Sequence, residues 1–358
     1  MSDVESINSA AKILIIGVGG AGCNAVNRMI DQDFYDVDFY VMNTDNQALA
    51  SSKTDRKLTL GTGLGAGGDP RVGKETAEEA EDLIREIIKD YDMIFIAAGM
   101  GGGTGTGASP VIARIAKSLG KLTIAIVTRP FGFEGKRRIE QSVVGLTELK
   151  EQVDSIIVVS NDKLVAMNGN SSMSDAFKEA DNVLAKSVKT ITDLIIMPGV
   201  INLDFADVRK TLEKSGIALI GYGQGEGPNK AIDAATSAMA CPLLEASING
   251  ARRAIVSITC GSKVSLIETR DTVNRIIDAT GEDLDIKFGV TINNLLEDVI
   301  LVSVIATDFA EEYDFTALPK FDFVGTTDPK KEENDYEQVQ DDDDDHSSIL
   351  SSFLRRND

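Results

Sequence analysis

Two hydrophobic rhythms alternate along the chain. Short runs dominated by apolar residues, as expected of strands buried on both faces, fall at Lys12 to Ile16, Asp38 to Met42, Leu58 to Leu60, Met93 to Ala98, Leu122 to Val127 and Ile156 to Val159. Between them, apolar positions recur every three or four residues. Glu75 to Lys89 places Ala80, Leu83, Ile84, Ile87 and Ile88 on one helical face, and Val111 to Leu119 reads as a further helix opened by Ser109-Pro110. Phe177, Ala180, Leu184, Val188, Ile191 and Ile195 keep this spacing for about twenty residues, a helix of about 30 Å. A second group of strands is expected at Ala218 to Tyr222, Arg253 to Thr259, Asp285 to Val290 and Val299 to Ala306, with helices around 228–240 and 266–279. The alternation predicts an α/β fold with a mostly parallel sheet. It divides into a flexible lead-in (1–10), an N-terminal domain (11–173), a long central helix (174–197) and a second, smaller α/β domain (198–316).

Glycine clusters sit where strands end. Gly17-x-Gly19-x-x-Gly22 follows the first strand in the Rossmann-like arrangement that lets a backbone approach phosphate, and Asp45 ends the next strand where a ribose-binding acid belongs. By itself this pattern does not separate NAD from a nucleoside triphosphate. A second run, Gly99-Met100-Gly101-Gly102-Gly103-Thr104-Gly105-Thr106-Gly107, stands between a buried strand and a helix start, where freed N–H groups and a helix dipole make an anion site. Two phosphate loops suit a triphosphate. Gly68 to Lys74 fits GxxxxGK, but Glu75 replaces the hydroxyl residue, Asp69 repels phosphate and Pro70 lacks an N–H, so it is not a P-loop. The run from Gly221 to Gly227 has only Lys230 as a nearby base and reads as a structural turn. Glu134 and Arg138 have the chemistry for ribose hydroxyls and phosphate, or belong to a solvated charge run. Phe177 can stack on a purine, with Asp181 one turn further on the same face. A carboxylate accepts both the N1–H and N2–H of guanine, which argues for GTP over ATP.

Charge narrows the partners. The chain has 57 acidic against 36 basic residues, which opposes a nucleic-acid-binding face. Residues 328–345 hold ten acids and two lysines with few apolar residues, so 317–348 is expected to be a disordered linker. Cys23, Cys241 and Cys260 have no metal-ligand spacing and read as small buried residues of a reduced, cytoplasmic protein. No signal peptide or membrane-spanning run is present, so no direct membrane insertion is expected. The single histidine, His346, lies in the acidic tail, which removes a core histidine from consideration as a catalytic base.

The run Gly101 to Gly107, together with the loops in their order, resembles the signature of the tubulin/FtsZ superfamily of GTPases over roughly residues 10–316. The resemblance implies a nucleotide site made of Gly19, Gly20, Ala21, Gly22, Cys23, Asn24, Asn43, Asp45, Ala66, Gly67, Gly68, Gly99, Gly101, Gly102, Gly103, Thr104, Gly105, Thr106, Gly107, Pro130, Glu134, Arg138, Asn161, Phe177 and Asp181. Ala66-Gly67-Gly68 would sense the γ-phosphate, although Gly68-Asp69-Pro70 departs from the usual Ala-Asn-Pro. Asn202, Asp204 and Asp207 resemble the superfamily's synergy loop, which enters the nucleotide pocket of the next subunit and positions the attacking water. The residue pattern alone also allows Asp204 and Asp207 to be helix caps. Such a contact is head-to-tail and builds filaments. The implied role is a self-assembling GTPase of the ring at the bacterial mid-cell division site, binding GTP and GDP, with Mg2+ inferred from triphosphate chemistry and K+ as a further candidate. Residues 349–358, with Leu350, Phe353, Leu354, Arg355 and Arg356, resemble a docking peptide for membrane tethers and division regulators, with Ser351 in place of the usual proline. The alternatives are a related filament GTPase with another cargo, such as plasmid segregation, and an NAD-binding oxidoreductase.

Overall fold

A computed structural model describes residues 11–32, 34–167, 172–241, 248, 250–280 and 284–309. The first half runs β1 (Ile13–Val18), α1 (Gly19–Ile30), β2 (Val37–Asn43), α2 (Asn46–Ala50), β3 (Lys57–Thr59), α3 (Pro70–Glu79), α4 (Glu81–Ile88), β4 (Met93–Gly99), α5 (Gly103–Ser118), β5 (Leu122–Arg129), α6 (Lys136–Gln152), β6 (Ser155–Ser160) and α7 (Asn161–Met167). The second half runs α8 (Met173–Ile196), α9 (Phe205–Leu212), β7 (Gly216–Gly225), α10 (Lys230–Met239), β8 (Ala251–Cys260), α11 (Leu266–Thr280), β9 (Asp285–Ile292) and β10 (Ile300–Phe309). The acidic stretch and the terminal peptide lie outside the described residues.

Among the described residues ten strands join one sheet, in the order β3-β2-β1-β4-β5-β6-β7-β10-β8-β9. From β3 to β7 every pairing is parallel, whereas β10 runs antiparallel to both β7 and β8. The two expected α/β units therefore share a sheet, through a narrow seam of three residue pairs from Ser155↔Gly216 to Ile157↔Ala218. β1, β4 and β5 are buried along almost their whole length, as expected of runs that are apolar throughout in β1 and β4 and mostly apolar in β5.

Three expectations from the sequence change here. The helix expected at Glu75 to Lys89 is two helices, because Asp69 caps α3 through the Arg71 N–H and Pro70 fills its first turn, while a turn at Ala80 (φ −93°, ψ 10°) ends it. Glu81 then opens α4, where an acid suits the helix dipole, and its carboxylate holds Arg85 and Arg114. The helix expected to open at Ser109-Pro110 opens instead at Gly103, so Pro110 lies inside it and much of the second glycine run is helical. These glycines serve close packing. A Cβ on Gly105 would stand 2.4 Å from the Gly99 carbonyl oxygen, and one on Gly107 would stand 1.9 Å from that of Pro70. Burial of the whole N-terminal half of α5 overrides glycine's helix cost of about 1 kcal/mol per residue.

Gly221 to Gly225, expected in a turn, belongs to β7. Its alternate glycines face α10, where a Cβ on Gly221 or Gly223 would meet the carbonyl oxygens of Ala238 and Ala234 at 2.1 and 2.0 Å. Gly223→Ala should therefore lower stability by about 1–3 kcal/mol, read as an earlier urea midpoint, because backbone cannot yield as a flexible side chain can. Lys230, at the start of α10, is buried between Glu268 (2.6 Å) and Asp298 (2.7 Å) and ties α10 to α11. The three cysteines are free and buried, and burial pushes the Cys23 thiol up to about 11. Among the described residues no helix is long and apolar enough to cross a membrane.

Candidate nucleotide site

The carboxyl ends of β1, β4, β5 and β6 surround a cleft, the usual place for a ligand in a parallel α/β sheet. Two helices point their N-termini into it. Neither α1 nor α5 has a side-chain cap, so their first N–H groups are left for an anion. The geometry of these turns depends on glycine. Gly19 has φ +71°, and a Cβ there would stand 3.0 Å from the Gly105 nitrogen, so the two phosphate segments touch. Gly101 has φ +96°, donates its N–H to Thr106 Oγ1 at 2.8 Å and leaves its Cβ position to the Arg138 carbonyl oxygen. We expect Gly105→Ala to leave the far-UV spectrum intact and lower nucleotide affinity at least tenfold, about 1.4 kcal/mol, since the added carbon pushes α5 off Gly99.

Of the residues expected from the sequence, Gly19, Gly20, Ala21, Gly99, Gly102, Gly103, Thr104, Gly105, Pro130, Glu134, Arg138, Asn161, Phe177 and Asp181 line this cleft. Asn24 lines an adjoining pocket that shares Phe177 and Asp181 and also contains Arg28. Others stand behind the wall. Gly22 packs against the Ala97 carbonyl oxygen, and Asn43 donates to the Cys23 thiol at 3.8 Å. Asp45 caps α2 by accepting from the Gln47 and Ala48 N–H groups. Ala66, Gly67 and Gly68 form a loop that meets the start of α5, with the Ala66 methyl 2.7 Å from where a Gly103 Cβ would lie. Gly67 and Gly68 have φ +58° and +74°, which suits glycine at both positions. Thr44 and Thr104 share a 2.7 Å hydroxyl contact that fixes this loop cluster from below.

The polar groups are set by their neighbours. Glu134, nearly buried, accepts the Phe131 N–H at 2.8 Å and pairs with Arg138 at 2.6 Å, so ribose and phosphate candidates hold each other. Asn161 is buried, yet its Oδ1 has no hydrogen-bond partner, which leaves an acceptor free for a ligand N–H. Phe177 is 41% exposed and meets buried Phe131 edge-on at 4.9 Å, and Phe131 in turn stacks on Phe133 at 5.0 Å. Phe177 is thus held by Phe131 and keeps exposed ring surface for a planar base. Burial pushes the Asp181 carboxyl up to about 7, with Arg28 opposing the shift. The sequence reading missed Val18, Met100, Thr128 and Ala180 as lining residues, and Phe131 as the brace. For Phe131 the Phe-Gly-Phe run next to Pro130 is the available signal.

Asn202, Asp204 and Asp207 are not among the residues lining the cleft. α8 begins beside the cleft and ends before them, and the fifteen steps from Asp181 to Ile196 cover about 22 Å of helix. Asn202 Oδ1 accepts the Gly199 N–H at 2.6 Å, Asp204 caps α9 by accepting from the Asp207 N–H, and Asp207 lies 3.5 Å from Lys287. Among the described residues no group of three His, Cys, Asp or Glu could hold a metal ion.

Comparison with known proteins agrees with this geometry. Residues 12–169 match the model of the Tubulin/FtsZ family GTPase domain, and residues 216–310 match the FtsZ family C-terminal domain. An empty FtsZ dimer from M. jannaschii is 39% identical, covers 83% of this chain and 88% of its own, and superposes with a TM-score of 0.79. A point mutant of the same FtsZ is also 39% identical, covers 84% and 92%, and gives 0.80. GDP-bound CetZ1 from Haloferax volcanii, at 20% identity, covers 82% and 93% and shares the fold with a TM-score of 0.71.

Proposed function

The chain belongs to the Tubulin/FtsZ family of GTPases, and from that premise we propose that it is a GTP-dependent filament protein whose hydrolytic site is completed by the next subunit. The observation that carries this reading is the separation of its two halves. Phosphate, ribose and base groups line one cleft, while the candidate water-positioning carboxylates, Asp204 and Asp207, stand at the far end of α8. Two chains meeting head-to-tail bring the halves together, and such a contact propagates.

The end that carries Asp204 is apolar. Val200, Ile201, Leu266, Ile267, Ile292 and Leu295 are exposed there, Leu295 at 91%. Backbone bonds from Val200 and Ile201 to Val290, from Asn293 to Cys260 and from Lys263 to Glu297 gather them at one end of β8 and β9. Such a contiguous apolar surface suits burial against another copy. Self-association also accords with the dimer named for the M. jannaschii relative.

In this reading the α1 and α5 N-termini hold the phosphates, the 66–68 loop reports the γ-phosphate, Glu134 and Arg138 meet ribose and phosphate, and Phe177 and Asp181 select guanine. Asp204 and Asp207 orient the water, and Asn202 lines the junction. Mg2+ supplies charge neutralisation on the phosphates, with K+ as a further candidate cation. The role follows as the ring at the mid-cell division site in the cytoplasm, with the 349–356 peptide docking tethers and regulators. The test is sedimentation with GTP or GDP. Pelleting with GTP alone supports the reading, and equal solubility in both nucleotides contradicts it.

A further inference from the structure

Behind the phosphate segments, on the side away from the nucleotide cleft, lies a separate cavity of about 470 Å3 between α3, α5 and α6. That volume falls in the range of about 300–1,000 Å3 typical of small-molecule sites. Its apolar part is formed by Pro70, Thr106, Gly107, Val144 and Gly145, and three cations, Arg71, Lys74 and Arg137, stand around it with three carboxylates, Asp69, Glu148 and Glu140, which pair with Arg71, Lys74 and Lys136. Arg71 is engaged by Asp69 (2.7 Å) and Lys74 loosely by Glu148 (3.5 Å). Arg137 makes no hydrogen bond or salt bridge among the described residues and acts on Asp69 only at longer range.

The walls of this cavity are the reverse sides of the nucleotide segments. Pro70 and Asp69 follow directly on the 66–68 loop. Gln141, also in the cavity wall, donates its amide N–H to the Gly68 carbonyl oxygen at 3.3 Å. Thr106, whose methyl sits where a Gly145 Cβ would otherwise stand, takes the Gly101 N–H with its hydroxyl. A molecule in the cavity therefore presses on both phosphate segments without entering the cleft. We propose that this cavity is an effector site for a small organic anion with an apolar body, its charge facing Arg137, and that Gln141 couples it to the loop at 66–68. The coupling rests on the reading of that loop as the γ-phosphate sensor.

The test uses the full chain and 8-anilinonaphthalene-1-sulfonate, an amphiphilic anion that fluoresces in apolar surroundings, at protein concentrations where light scattering shows no assembly. Saturable binding is expected, weakened at least tenfold, about 1.4 kcal/mol, by Val144→Trp, which fills the cavity, and by Arg137→Glu. Both side chains are exposed, so both variants should fold. Because coupling is reciprocal, affinity for the probe should differ about fivefold between the GDP-bound protein and a non-hydrolysable GTP complex. Gln141→Ala should erase that difference while the probe still binds. Unchanged binding in Val144→Trp and Arg137→Glu would overturn the site. Equal probe affinity in the two complexes, with both nucleotides bound, would overturn the coupling. Failure of nucleotide to bind at all would instead sink the functional reading, leaving the site to be judged by the first pair of variants.

Discussion

Replacing Asp181 by asparagine lowers affinity for GTP by about a hundredfold or more and moves preference toward xanthosine triphosphate. The first effect follows from two hydrogen bonds between guanine N–H donors and an ionised carboxylate, each contributing about 1.5–3 kcal/mol. The second follows from the donor pattern: xanthine carries an oxygen at C2, where an amide N–H can donate and a carboxylate cannot. Competition binding with the two nucleotides reads both. The same group makes binding depend on pH. In the empty cleft burial holds the Asp181 carboxyl at about 7, so below that pH it is mostly protonated and has lost an acceptor that guanine needs. Guanine favours the carboxylate, so GTP affinity should fall as pH drops below about 7 and level off above it. Stability of the nucleotide-free protein runs the other way. The folded carboxyl titrates above its unfolded value, so keeping it ionised is a penalty present above about pH 7 and relieved as pH falls toward about 4. Asp181→Asn removes that penalty and should raise the melting temperature of the empty protein at about pH 8 more than at about pH 5.

The second large effect concerns Asp207. Asp207→Ala should lower GTP hydrolysis by about 10^2–10^3-fold, the range expected when a group that positions or deprotonates water is lost. GTP affinity should stay within about twofold, since Asp207 is not part of the cleft lining. Asp204 needs a different substitution. It caps α9, so alanine there would also cost about 1 kcal/mol of helix stability, whereas asparagine keeps the cap and removes the charge. Loss of hydrolysis in Asp204→Asn with an unchanged melting temperature separates a role at the junction from the capping role.

Much of the fold is legible in the chain because burial on both faces leaves nothing but apolar residues. β1 and β4 announce themselves as unbroken runs, and α8 as a long three-and-four spacing. Two of the misreadings share a cause. In sequence, glycine reads as loop at 103–107 and as turn at 221–225, yet in both places it permits two backbones to approach within the reach of a Cβ. A single sequence does not distinguish a glycine needed for its dihedral from one needed for its missing side chain. The break at Ala80 is accompanied by an ion pair from Glu81 to Arg114 on α5, a partner that no local window contains. In the site, the base candidates Phe177 and Asp181 can be read from helical spacing, but the brace by Phe131 and the mutual hold of Glu134 and Arg138 arise from folding of the 130–138 segment against α8. Asp204 is legible twice, as a cap and as a junction acid, and the structure assigns it the cap in the single chain.

The central claim is that one chain holds half of the hydrolytic site. Its most direct test is the rate of GTP hydrolysis per molecule as a function of protein concentration. The expected rate is near zero below a threshold, rises with assembly, and is lost in Asp207→Ala while GTP remains bound. A rate independent of concentration would mean that the site is complete within one chain, and the filament argument from Asp204 and Asp207 would be wrong.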